Sequence, residues 1–269
     1  MRGGGWLLGV VLGLLTVGSA WADAPPHQHP VIALILDDLG NQREEGMRSV
    51  VLPGAVTYAI LPRTPFGAEL ARVAHEHGKE VMLHMPMQAV HDHPLGPGGV
   101  RLDMSEFEFK RTLEDSLASI PHVRGINNHM GSLLTRHPGH MDWVMQVLAQ
   151  RGDLYFVDSR TTAQTVAMRV ALERRVPTVD RDVFLDSKQG DPEYVARQFD
   201  DLIDVAKRRG TAVGIGHPYL ETLEVLESRL GELQAHGIEL VPVSELLDIR
   251  ERRQAWQASL SPSPTAVKN

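Results

Sequence analysis

The sequence predicts an α/β protein with parallel strands, arranged as a (β/α) barrel in preference to an open doubly wound sheet. Two observations lead there. Eight short apolar runs alternate with amphipathic segments along the chain, without an internal repeat, which is the order expected of successive strand and helix units. The runs are also continuously apolar, which suits strands buried on both faces rather than strands with one wet side.

In chain order the strand-like runs cover residues 31–36, 56–61, 80–85, 125–128, 154–157, 182–185, 211–215 and 238–243. The segments between them have helical period. Residues 66–77 precede Gly78, a natural helix stop. Met141, Val144, Met145 and Leu148 form an i, i+3, i+4, i+7 stripe. Val195, Phe199, Leu202, Ile203 and Ala206 repeat that stripe, and Gly210 ends the helix. These elements make one domain over residues 31–249. Residues 23–30 are a polar, proline-bearing lead-in. Residues 250–269, a charged run followed by Ser-Pro-Ser-Pro, are expected to form a flexible tail.

Residues 1–22 read as a secretory signal peptide: Arg2, an apolar run over 6–17, then Ala20 and Ala22 in an A-x-A cleavage pattern. An uncleaved anchor is the competing reading. The run is short against the roughly 20 apolar residues a spanning helix needs, and glycines interrupt it. The expected location is therefore beyond the inner membrane, in the periplasm, with no membrane anchor left after cleavage.

The absence of cysteine removes disulfides and thiolate sites, so any metal must take His, Asp or Glu. A net charge of −7 leaves no basic footprint for nucleic acid and favours a neutral or cationic substrate. Of the thirteen histidines, several lie in polar or Pro/Gly-rich stretches, including His27, His29, His91 and His93, where solvated imidazole is a sufficient account.

The polar residues that close the apolar runs carry the functional signal. Asp37 and Asp38 follow Leu36, His84 ends the third run, and His129 follows Asn127 and Asn128. Asp158, Asp186 and His217 close three later runs. In parallel α/β folds such positions share the C-terminal rim, where separate strands deliver side chains to one centre. Any single Asp here also reads as a helix N-cap. An Asp with two His and an open position matches a hydrolytic site of the zinc kind, with cobalt, nickel or manganese as other candidate ions. A second carboxylate beside the ligand set can act as base.

Five segments in order resemble the divergent polysaccharide deacetylases, distant relatives of the NodB-type carbohydrate esterases. They are Ala33-Leu34-Ile35-Leu36-Asp37-Asp38-Leu39-Gly40, His84-Met85-Pro86-Met87-Gln88, Asn127-Asn128-His129-Met130-Gly131-Ser132, Phe156-Val157-Asp158-Ser159-Arg160-Thr161 and Gly214-Ile215-Gly216-His217-Pro218. The resemblance implies a deformed or incomplete, NodB-like (β/α) barrel in an exported protein that removes acetyl groups from an N-acetylated glycan with a divalent metal, zinc foremost. It places Asp37 as general base, Asp38 and His129 as metal ligands, and His217 as the acid that protonates the departing amine. Asp158 and Asp186 are expected to orient His217 or another histidine, and Asn128 to support the site or touch substrate.

One departure stands out. NodB-type enzymes place two ligand histidines four residues apart, whereas Leu133 stands four after His129. His84, at the end of another strand, is the expected replacement. Residues 88–101 form a long Pro/Gly-rich connection on the same rim, suited to shaping substrate access. Its H-x-H pair, His91 and His93, lies among turn residues rather than at a strand end and is set aside as a ligand pair. A catalytically inactive envelope protein that binds glycan or a protein partner with the same fold is the alternative function. A general metallohydrolase acting on amide or phosphoester substrates is disfavoured because no Lys/Arg cluster adjoins the strand ends to clamp phosphate.

Overall fold

A computed structural model describes residues 27–260 other than Gln28 and Asp92. The expected signal peptide, most of the lead-in and residues 261–269 lie outside the described residues. The elements follow in the order β1 (Val31–Leu39), α1 (Arg43–Val50), β2 (Thr57–Ile60), α2 (Gly67–Glu76), β3 (Glu80–Met87), α3 (Glu106–Ser119), β4 (Val123–Met130), α4 (Pro138–Arg151), β5 (Tyr155–Asp158), α5 (Ala167–Glu173), β6 (Thr178–Asp180), β7 (Val183–Phe184), α6 (Pro192–Arg209), β8 (Thr211–Gly216), α7 (Leu220–Arg229), β9 (Glu239–Leu240) and α8 (Val243–Leu260). No described helix is long and apolar enough to cross a membrane.

All the pairings between these strands are parallel, in the order β6-β5-β4-β3-β2-β1-β8-β7, with β9 on β1. The sheet curls into a deformed, incomplete barrel. Residues 178–184 cross its gap: the first half pairs with β5 as β6, the second with β8 as β7. Between the halves, Arg181 N donates to Asp158 O at 3.0 Å and Asp182 N to Val213 O at 2.9 Å. The run expected over 182–185 is therefore the second half of a bent segment. Its first half, three residues long, carries too little apolar pattern to stand out in the sequence.

The run expected over 238–243 shrinks to the two residues of β9. Val31 pairs with β8 and β9 at once, so β9 occupies the edge of β1 that β2 takes from Ile35 onward. Only two residues fit before β2 claims the edge.

Strand alternation divides the core into two parts. Ile32, Leu34 and Leu36 of β1 belong to a cluster with Leu70, Phe109, Met141 and Val195 of the helices, and so face outward. Val31, Ala33 and Ile35 belong to a second cluster with Met82, Tyr155, Val157, Val213 and Ile215 from other strands, which is the barrel interior. Val243, Leu246 and Ile249 of α8 join this inner cluster.

Within the expected flexible tail of residues 250–269, residues 250–260 instead continue α8 to Leu260, and the remainder lies outside the described residues. Arg250 Nε donates to Thr211 Oγ1 at 2.9 Å, and Arg253 Nη2 donates to the carbonyls of His27 and His29 at 2.7 and 3.1 Å. Polar contacts hold the first turn of this stretch at Arg250 and Arg253, so the apolar pattern gave no sign of it.

Local chemistry sets the helix ends, one at an expected stop and one at a cap the sequence reading did not single out. Gly210 adopts φ 82° after α6, and its N–H caps Ala206 O. Ser105 and Glu108 form a reciprocal capping box that starts α3.

Candidate metal centre

The alternation that sorts the core also sorts the rim. Continuing the inward set of each strand brings Asp37 after Ile35, His84 after Met82, Asn127 and His129 on β4, Ser159 after Val157, and His217 after Ile215. Asp38 has outward parity. Its φ of 62° turns the backbone left-handed, a conformation Asp tolerates better than most residues, and its carboxylate meets the histidines.

Asp38, His84 and His129 form the one group of three His, Asp, Glu or Cys side chains, among the described residues, whose ligand atoms converge. Asp38 Oδ1 lies 3.1 Å from His84 Nε2 and 2.8 Å from His129 Nδ1, and those nitrogens are 3.1 Å apart. Spacings of about 3 Å suit three ligands that each stand about 2 Å from a shared ion. Asp38 Oδ1 is buried, and despite its proximity to both rings it makes no properly directed hydrogen bond. An orphaned oxygen facing two imidazole nitrogens fits a divalent cation, and the N/O donor set fits zinc or its first-row neighbours. His84 thus brings a second imidazole beside Asp38 and His129.

Asn127 organises this group from below. Its Nδ2 donates to Asp37 Oδ1 at 2.7 Å, and its Oδ1 faces His84 Nδ1 at 2.7 Å. Donation from Nδ1–H to Asn127 leaves the Nε2 lone pair of His84 turned toward Asp38 and His129. Burial pushes the Asp37 carboxyl above the usual range, against the pull of His84, His217 and Asn127. Burial pulls His84 down, but Asp37 and Asp38 outweigh it and lift the ring to about 9 when no ion competes. Burial also opposes ionisation of Asp38, yet the two histidines hold its carboxyl far below the ordinary value.

His217 approaches from the other side, with Nε2 3.7 Å from Asp38 Oδ2. Asp186 holds it twice: Oδ1 lies 3.0 Å from the ring Nδ1, and Oδ2 accepts the His217 backbone N–H at 2.6 Å. Thr222 Oγ1 donates to the same Oδ2 at 2.9 Å. Burial depresses the imidazolium, but the Asp186 hydrogen bond and charge, with Asp37 and Asp38 behind it, leave its pKa raised.

Two expected supporting residues serve elsewhere. Asp158 accepts from Arg160 N at 2.9 Å and Thr165 Oγ1 at 2.8 Å, so it holds the turn after β5 instead of an imidazole. Asn128 donates to Met130 O at 2.8 Å and accepts Ser159 N at 3.0 Å, tying β4 to β5. Both have outward parity without the left-handed backbone that turns Asp38 back, which is the physical reason neither reaches the centre. His91 and His93 are exposed and stand apart from the triad.

Sequence reasoning passed over Asn127 in favour of its neighbour, although inward alternation from Gly125 would have found it. It also missed Ser159, whose buried hydroxyl makes no hydrogen bond, and Arg181, which bonds Ser159 O at 2.8 Å and stacks 4.7 Å over Phe184. Beyond the triad opens a groove of about 780 Å3, reached by the Pro94–Pro97 stretch of the long connection.

The incomplete parallel barrel is the architecture that the family resemblance implied, and Asp, His and His converge on its C-terminal rim. The chain belongs to the divergent polysaccharide deacetylase family, whose model matches residues 34–247. It is 38% identical over 217 residues to the uncharacterized protein YibQ of Escherichia coli K12, covering 81% of this chain and 67% of that one. The uncharacterized protein ATU2773 of Agrobacterium tumefaciens C58 has a similar structure, with a TM-score of 0.78 at 23% identity over 84% of this chain and 92% of that one. The peptidoglycan deacetylase PdaC of Bacillus subtilis shares the fold, with a TM-score of 0.52 at 15% identity over 87% of this chain and 98% of that one.

Proposed function

We propose that the protein is an exported, metal-dependent deacetylase that removes acetyl groups from an N-acetylated glycan. The carrying observation is the convergence of Asp38, His84 and His129 with Asp37 and His217 on either side. Family membership supports the glycan substrate, and the Arg2, apolar run and Ala20-x-Ala22 pattern supports a periplasmic location.

Asp38, His84 and His129 would hold the ion, which would lower the pKa of water and polarise the acetyl carbonyl. Asp37, its basicity raised by burial, takes the proton of the attacking water. Asn127 keeps that carboxylate in place while fixing the tautomer of His84. Asp186 stabilises the imidazolium of His217, which gives a proton to the departing amine nitrogen. The products are acetate and a glycan amine.

The test is twofold. Purified protein should contain near-stoichiometric metal that His129→Ala loses. The loaded wild type should release acetate from N-acetylated oligosaccharides, and Asp37→Asn should not. Glycan binding without acetate release, surviving Asp37→Ala, would instead support the inactive envelope protein.

A further inference from the structure

The groove beside the triad has a charge that bears on substrate choice. Its lining includes Leu39, Leu61, Pro62 and Pro86, apolar side chains suited to the C–H faces of sugars. Tyr219 lines it too, its ring stacked on His217 with centroids 5.2 Å apart and planes at 25°. Three carboxylates stand along the same lining: Glu44 and Glu45 on α1, and Glu221 on α7.

These acids lack cationic partners among the described residues. Glu44 makes no side-chain hydrogen bond or ion pair there. Glu45 meets the neutral amide of Gln42, and Glu221 accepts the backbone N–H of Gly190. Arg48, the arginine on the lining, is bound through two nitrogens to Glu227 at 2.7 and 2.8 Å. Nearby Arg43 is likewise held by Glu69. The groove therefore presents three carboxylates without cationic partners among the described residues, apart from Asp38, whose charge the histidines of the triad offset.

We infer that the glycan taken by this groove carries free amino groups beside the N-acetyl unit under attack. It is a partly de-N-acetylated hexosamine chain, favoured over glycans bearing carboxylates or phosphates. The inference rests on the deacetylase reading of the triad. Ammonium groups on neighbouring sugars meet Glu44, Glu45 and Glu221, while an acidic glycan is repelled by the same three. Each hydrolysis of an acetamide to acetate and an ammonium adds a positive charge that the groove retains.

Calorimetric titration of full-length Asp37→Asn protein, which does not consume acetylated ligands, tests this with three probes: a glucosamine tetramer, its fully N-acetylated counterpart, and a disaccharide bearing a lactyl carboxylate. The expected result is at least about fivefold tighter binding of the amine tetramer at low salt, with the carboxylate disaccharide weakest. High salt and the Glu44→Gln/Glu45→Gln/Glu221→Gln variant should each abolish the preference. Equal binding of the two tetramers, no binding of either, or tightest binding of the acidic disaccharide overturns the inference. Acetate release by the wild type is scored separately. A charge preference without turnover would remove the deacetylase reading and leave the groove's selectivity standing, whereas turnover without charge preference would do the reverse.

Discussion

Replacing Asn127 by alanine separates the two functions that its amide joins. The side chain is fully buried and makes two hydrogen bonds of 2.7 Å, one to the Asp37 carboxylate and one to the His84 ring. A hydrogen bond to a charged group contributes roughly 1.5–3 kcal/mol, so losing both sets an upper limit of about 6 kcal/mol. Water entering the vacated space offsets part of this loss, and we expect about 2–4 kcal/mol in the metal-free protein. His84 also loses the group that orients its Nε2, which should weaken metal binding by about 10- to 100-fold. Urea unfolding in chelator, followed by circular dichroism, gives the first quantity. Competition with a chromophoric zinc chelator gives the second. Asn128→Ala is the internal control: its side chain bonds Met130 O and Ser159 N, so it should cost about 1–2 kcal/mol of stability and leave zinc affinity unchanged. Wild-type zinc affinity in Asn127→Ala, or an equal loss in both variants, would refute the division of labour drawn from strand alternation.

Three further outcomes follow from the same geometry. Because Asp37 and Asp38 hold His84 protonated to about pH 9 in the ion-free protein, metal binding near neutral pH must displace a proton from it; titrations in buffers of different ionisation enthalpy should show that release, and His84→Gln should diminish it. Asp186→Asn removes the charge that raises the His217 pKa, so the imidazolium is lost at lower pH and the alkaline limb of the activity profile should move down; an unmoved limb would exclude His217 as the acid. Gly125→Ala places a methyl group into the buried ring of Tyr155, whose hydroxyl is tied to Glu80 at 2.8 Å, so thermal or urea unfolding should show a loss of about 1–3 kcal/mol.

The relation between sequence and structure is clearest at the paired residues of the rim. Continuous apolar runs and the polar residues closing them marked the strands, their parallel arrangement and the shared edge, because burial on both faces leaves a local trace in composition. Asp37, His84, His129 and His217 were legible for that reason, and Gly78 and Gly210 were legible as helix stops because their backbone conformation is a local property. Adjacent pairs were harder to resolve. Asn127 and Asn128 are chemically identical, yet one lies inside the barrel and the other ties two strands together.

The sequence by itself thus determined the order of strands and helices, the class of fold and the chemical types gathered at one rim. Tertiary structure alone decided which member of each polar pair turned inward, how Asp38 used a left-handed backbone to join His84 and His129, and how residues 178–184 bridged two strands. It also decided that β9 stops after two residues and that a charged segment continues α8. Apolar periodicity reports whether a residue is buried, whereas pairing register, competition for a strand edge and hydrogen bonds between distant residues exist only once the chain has closed on itself.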